Sequence, residues 1–190
     1  MSSTTSQGGA AAPSPVTSWE IDPVHSTAQF KVRHMMISNV KGEFTAIRGS
    51  VQIDSADVTR SSAEGSIDAA SINTRDAQRD GHLRSPDFLD AEKYPTLAFR
   101  STRISRGSDG TLEASGELTI HGITRPIVFA VEGPTPETRD PWGNTRIGLA
   151  AEATIDRKDF GLTWNSALET GGVLVGDKVA ITVDLELVKK

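Results

Sequence analysis

From Thr27 to Leu187 the chain returns again and again to a period of two. Ala28, Phe30 and Val32 fall on one side and Thr27, Gln29, Lys31 and Arg33 on the other; Leu112, Ala114, Gly116, Leu118 and Ile120 alternate in the same way with Glu113, Ser115, Glu117, Thr119 and His121. Side chains on a strand point to alternate faces, so each run is a strand with one dry and one wet face. A chain made almost wholly of such strands has to roll its dry faces onto a common interior. The function is then a question of what that interior holds.

After Trp19-Glu-Ile-Asp, the first long strand runs from Ser26 to His34, and Val40 to Ile53 reads as extended with Gly42 and Gly49 as bend points. Ser62 to Ile72 places Ala63, Gly65, Ile67 and Ala69 inward; these are small, and they leave room that a packed core would fill. Thr74 to Tyr94 breaks the period. Thr74 is placed to cap a short helix with Asp76 in its first turn, and Ser85-Pro86 to open a second turn carrying Phe88 and Leu89. Strands resume over 96–104, 111–121, 125–133, 145–155 and 177–188, with a tight turn at Asp109-Gly110 and a one-turn element capped by Asp156 and stopped by Gly161. About eight long antiparallel strands and a helical insert predict an all-β up-and-down barrel or, failing that, a sandwich; strands of roughly 9 to 12 residues favour the barrel.

Composition narrows the function. A 190-residue chain with 36% apolar residues is one ordinary domain with a real core. A net charge of -5 with both signs interleaved gives no basic stripe for nucleic acid. Without cysteine there is no disulfide framework, thiolate metal site or Cys nucleophile. Residues 1–17 are Ser, Thr, Gly, Ala and Pro in the main, without the basic start or apolar block of an export signal. The expectation is a disordered tail over 1–17, a barrel domain over 18–190 and a cytoplasmic protein. No run approaches the roughly 18 apolar residues of a membrane span.

Several segments together resemble the YceI-like family: Asp22-Pro-Val-His-Ser26 with Phe30, Val32 and His34; Gly42-Glu-Phe44; Arg79-Asp-Gly-His-Leu-Arg-Ser-Pro-Asp-Phe-Leu-Asp90; and Lys93-Tyr-Pro with Phe99-Arg-Ser101. Gly116-Glu-Leu-Thr-Ile-His-Gly-Ile-Thr-Arg-Pro126, Asp156-Arg-Lys-Asp-Phe-Gly-Leu162 and Val175-Gly-Asp-Lys-Val179 continue the resemblance, which spans Trp19 to Val188 in order. The block around His82 is the most specific. The resemblance implies a lipocalin-like, extended eight-stranded antiparallel barrel enclosing a long apolar ligand, a polyisoprenoid or another amphiphilic lipid. It is compatible with homodimerisation through exposed strands, and many relatives are periplasmic.

Parity then names a lining: Phe30, Val32, Phe44, Ile67, Phe99, Leu118, Ile120, Phe129, Ile147 and Ile181, closed off by Leu83, Phe88 and Leu89 of the insert. Burying about 500 Å² of a lipid tail contributes on the order of 12 kcal/mol before association costs, enough without a polar anchor. A head group would meet Arg79, His82 and Arg84, which alternatively only fasten the insert. For an enzyme, His25, His34, His82 and His121 lack tight ligand spacing, and no Gly-x-Ser-x-Gly elbow or phosphate loop is present. The resemblance, with this apolar lining, implies a non-catalytic carrier or sequestering protein for the lipid, without metal or cofactor. The competing readings are a small-substrate hydrolase or isomerase using the same cavity, and a protein-interaction module presenting Trp142, with Trp164 covering a barrel end.

Overall fold

The computed structural model describes residues 16–169 and 171–190. Its strands are β1 (Val16–Ile21), β2 (Thr27–His34), β3 (Ser38–Phe44), β4 (Ile47–Asp54), β5 (Ser62–Asp68), β6 (Ile72–Asn73), β7 (Thr96–Arg106), β8 (Leu112–Ile120), β9 (Ile123–Glu132), β10 (Thr138–Arg139), β11 (Thr145–Asp156) and β12 (Val175–Lys189). The one helix among the described residues, α1 (Ala77–Arg84), lies between β6 and β7. Every pairing is antiparallel. β1 and β2 both pair with β12 on one side, and with β4 and β3 on the other. They are two halves of one bent strand, as are β3 with β4 and β5 with β6. Counted this way, eight strands neighbour one another in chain order, and the long ladder between β11 and β12 closes the ring. The up-and-down barrel expected from the alternation is the fold.

The wall begins earlier than the sequence pattern suggested. Of the expected tail, residues 1–15 lie outside the described residues, whereas Val16 and Thr17 are the first residues of β1. Thr17 Oγ1 donates to Ile53 O at 3.3 Å and accepts from Trp19 Nε1 at 2.8 Å, so the boundary at residue 17 moves into the tail.

The bends are held by serines rather than glycines. Between β1 and β2 the chain leaves the β12 ladder, and Ser26 fills the gap: its Oγ donates to Glu186 O at 3.2 Å and accepts from Glu186 N at 3.0 Å. Between β3 and β4, Ser71 Oγ accepts from Ala46 N at 3.2 Å. Gly42, expected as a bend, instead sits mid-strand opposite Phe30. A Cβ there would collide with the Phe30 ring and lie 2.8 Å from Thr74 Cγ2. The position needs glycine for close approach, not for flexure.

The insert also differs in detail. The N-cap of α1 is Asp76, whose Oδ1 accepts from Arg79 N at 3.0 Å. Thr74, the expected cap, gives its N–H (2.8 Å) and hydroxyl (2.5 Å) to the buried Asp80 carboxylate. Ser85 closes the helix, its N–H donating to His82 O, instead of opening a second one. Downstream, Asp156 and Gly161 cap and stop a short 3₁₀ turn as expected, with Gly161 at φ 74°.

An arginine ties the first bend to the closing strand. Arg146 Nη1 lies 2.6 Å from both Asp22 Oδ2 and Glu186 Oε1, and its Nε 2.7 Å from Asp140 Oδ2. The Arg146 and His25 hydrogen bonds hold the Asp22 carboxyl well below the usual carboxylate range. Burial pushes Asp140 upward, but bonds from Arg146, Asn144 and the Trp142 amide outweigh it and leave that carboxyl depressed too. A depressed folded-state pKa stabilises the fold above the unfolded value, about 4, and the contribution is lost as pH falls through the folded one. Arg146→Met leaves the carboxylates to repel one another. Its stability deficit is expected to be greatest at neutral pH and to shrink below about pH 4, as checked by urea unfolding of both proteins across that range.

Candidate ligand cavity

The barrel is hollow. A cavity of about 330 Å³ runs between the walls, lined from every strand of the ring and by the α1 insert. Phe30, Val32, Phe44, Ile67, Phe99 and Ile181 face inward yet are only partly buried, because the space in front of them is open. A packed core of this composition would bury them fully.

Alternation decides which side chains face this space, and small residues decide how wide it is. Ala63 and Gly65 on β5, Ala114 on β8 and Ala151 on β11 line it beside the larger residues. Two inward glycines are each covered by an aromatic ring: Gly42 by Phe30, and Gly116 by Phe99, whose Cε2 would lie 2.6 Å from an added Cβ. Each ring thus packs over bare backbone of the wall. Phe30 also tilts against Phe44 (centroids 5.9 Å apart), and Phe99 meets Phe129 edge-on (5.2 Å).

Of the sequence-derived lining, Phe30, Val32, Phe44, Ile67, Leu83, Phe88, Leu89, Phe99, Leu118, Ile120, Phe129 and Ile181 all border the cavity. Ile147 does not. It packs with Trp19, Val51 and Leu187 in a second cluster, where Trp19 is 2% exposed and Leu187 fully buried. Parity was right for Ile147, but its place at the start of β11 puts it in the plug and not in the lumen. Lys189 Nζ rests over the Trp19 ring, 5.3 Å from its centre, and pairs with Glu137 at 2.7 Å. Ile21, Leu149, Ile155, Val183 and Leu185 line the cavity and were missed. Four of them share the parity of Ile147 or Ile181 on β11 and β12, so the signal was present in the alternation.

The cationic candidates stay outside the lining. Arg79 donates from Nε to Thr74 Oγ1 (2.7 Å) and from Nη2 to Thr74 O (2.9 Å). Arg84 donates from Nε to Ala70 O and from Nη2 to Ile72 O, both at 2.8 Å. His82 Nε2 meets Asp87 Oδ2 at 2.8 Å, and its ring stacks edge-on against Phe88 and Trp164. All three fasten the insert, and Trp164 packs on it, its ring 5.3 Å from that of Phe88. The guanidinium that does border the cavity is Arg157. It is 3% exposed; Nε donates to Gly176 O, Nη1 to Leu162 O and Trp164 O, and Nη2 to Val175 O. Burial lowers its pKa from the ordinary arginine value, against the pull of Asp177 and Asp156. Its donors are spent on carbonyls, so it shapes the cavity end without presenting a free charge.

The histidines do not converge. His34 ends β2, His82 belongs to α1 and His121 lies in the β8–β9 turn against Tyr94. His25 approaches Asp22 and Glu186 closely enough to suggest three metal ligands, yet Arg146 already occupies both carboxylates. Trp142 stands in the β10–β11 loop, 82% exposed. No helix among the described residues is long and apolar enough to cross a membrane.

Comparison with known proteins agrees with this geometry. The model of the YceI-like domain matches residues 19–187. The chain belongs to the YceI-like domain family. Among its relatives, a UPF0312 protein of Vibrio cholerae is 41% identical over 138 residues, 73% of this chain and 72% of that one. A UPF0312 protein of Staphylococcus aureus is 33% identical over 171 residues, covering 90% and 97% respectively. The crystal structure of the Campylobacter jejuni YceI protein superposes with a TM-score of 0.69 at 29% identity, over 84% of this chain and 91% of that one. A domain from Saccharophagus degradans, described as polyisoprenoid binding and implicated in plant cell wall breakdown, shares the fold at a TM-score of 0.64 and 16% identity, over 90% and 98%.

The glycine–aromatic pairs of this YceI-like barrel make a prediction. At Gly42 an added methyl meets the Phe30 ring, which borders the open lumen, and the Thr74 methyl, whereas at Gly116 it meets the Arg100 carbonyl of the wall as well as the Phe99 ring. Gly42→Ala is expected to cost about 1–3 kcal/mol and narrow the cavity, and Gly116→Ala to cost more. Thermal unfolding ranks the two, and saturation with a fluorescent fatty acid reports the lost room in Gly42→Ala.

Proposed function

We propose that this chain binds and carries, or sequesters, a long-chain amphiphilic lipid of polyisoprenoid type in the barrel interior, without chemistry on it. The observation that carries this reading is the apolar cavity of about 330 Å³ whose one bordering guanidinium, Arg157, is committed to backbone carbonyls. At about 24 cal/mol per Å³, a void of that size left empty costs on the order of 8 kcal/mol. That is comparable with the whole stability of an ordinary domain. A hydrocarbon tail removes the penalty and needs no polar partner. The description of the Saccharophagus domain as polyisoprenoid binding supports the ligand class.

Selection among lipids would rest on length and width, since a methylene is worth only about 1–3 kcal/mol in an apolar pocket. The candidate head-group residues Arg79, His82 and Arg84 are engaged by the insert, so the polar end of the lipid is left to the solvent at the barrel end. Catalysis would need a nucleophile or base facing the lumen. Among the described polar residues at its border, Ser61 accepts from the Asp54 amide at 3.1 Å and Glu64 pairs with Arg100 at 3.3 Å, while Gln29, Ser62 and Ser66 alternate with the inward Ala28, Phe30, Ala63, Gly65 and Ile67.

Native mass spectrometry of freshly purified protein, followed by solvent extraction, tests the reading: a co-purifying long-chain lipid is expected. Ala151→Phe fills the lumen from a position on the β11 wall. It is expected to keep the circular dichroism of the parent and to lose the bound mass. A folded Ala151→Phe protein that retains its lipid would refute the cavity as the binding site.

A further inference from the structure

We propose that the β2–β3 hairpin tip, Met35-Met36-Ile37 with the neighbouring Val173, is a docking wedge for an anionic lipid bilayer, through which the cavity exchanges its lipid. This rests on the carrier reading and adds the partner surface from which the ligand comes.

Four of the eight exposed large apolar side chains among the described residues gather here; Val16, Val24, Val128 and Trp142 stand apart from the tip. Met36 is 61% exposed and Ile37 75%, with Met35 and Val173 both open beside them. The two segments are joined by the Met35 N–H, which donates to Leu174 O at 2.8 Å. They sit at one end of the cavity, for Val32 and Val175 both line it and Val175 pairs with His34, the residue before Met35.

The turn itself is built against local preference. Met35 (φ 50°) and Met36 (φ 59°) are consecutive left-handed residues, the conformation of a tight hairpin turn that Asn-Gly adopts without strain. The molecule keeps two large apolar side chains where neither backbone comfort nor burial asks for them. Packing within the chain does not account for that choice.

Charge identifies the partner. Between Asp22 and Glu43 the chain has no acidic residue, although its net charge is -5. Lys31 and Lys41 stand directly opposite each other on the outer face of β2 and β3, an arrangement that is unfavourable unless an anion lies outside it. Both are exposed, and neither forms an ion pair among the described residues. Arg33, also outward, donates from Nη2 to Met36 O at 2.9 Å and brings a third cation to the base of the tip. Apolar side chains at the point and cations behind them match the acyl region and the head groups of an anionic leaflet.

The test is flotation of the full-length protein with vesicles of phosphatidylcholine alone and of equimolar phosphatidylcholine and phosphatidylglycerol. Wild type is expected to float with the anionic vesicles and to be released by high salt. The double variant Met35→Asn, Met36→Gly relieves the turn, so its melting temperature is expected to match or exceed that of wild type while vesicle binding falls at least tenfold. Lys31→Glu, Lys41→Glu is expected to lose anionic binding likewise. Absence of wild-type flotation, or equal flotation of the Asn-Gly variant, overturns the proposal. A concentration-dependent dimer that the Asn-Gly variant abolishes, without flotation, assigns the tip to a second copy and overturns it as well. Uptake of a fluorescent fatty acid from solution, measured on the same variant, separates the two readings: it is retained if the cavity is sound and only docking has gone.

Discussion

Closure of the sheet by β12 is the constraint on which the rest of the molecule depends. This strand pairs with β11 along one edge and with both β1 and β2 along the other, so the wall's hydrogen-bonding edges are joined to each other. A closed ladder holds its shape through the wall and does not require a packed centre. An open sandwich with the same inward residues would collapse until they touched. The hollow exists because the strands have nowhere left to move.

Side-chain chemistry then places the filling at the ends. Trp19, Val51, Ile147 and Leu187 pack one end as an ordinary core, while Leu83, Phe88 and Leu89 from the insert meet the other. The insert has little hydrophobic drive of its own. It is fastened by Arg79, Asp80 and Arg84 to Thr74, Ala70 and Ile72, and by Trp164 against His82 and Phe88. The cationic residues in the most distinctive sequence block are therefore spent on architecture, and that leaves the cavity apolar. An apolar site of this type discriminates by shape, and under the proposed carrier function the exposed methionine tip at the cavity end would serve the same task.

Residue by residue, much of the site was legible. Phe30, Val32, Ile67, Leu118 and Ile181 were placed in the lumen by parity alone, because a strand's period of two survives any curvature of the sheet. The bends were not, since Ser26 and Ser71 act through side-chain bonds to strands remote in sequence, and serine carries no local signal of that role. Gly42 misled for a related reason: glycine serves both flexure and close approach, and only the ring of Phe30 across the ladder distinguishes them.

By itself the sequence determined the alternating faces, the helical insert, the turns at Gly110 and Gly161 and the family, because each is a local pattern of residue types. Tertiary structure decided that the interior stays open, that Ile147 belongs to the plug while Leu149 lines the lumen, and that Arg79, His82 and Arg84 are fasteners. Those outcomes depend on distances across the barrel and on which donors are already taken, and both come into existence only when the ring closes.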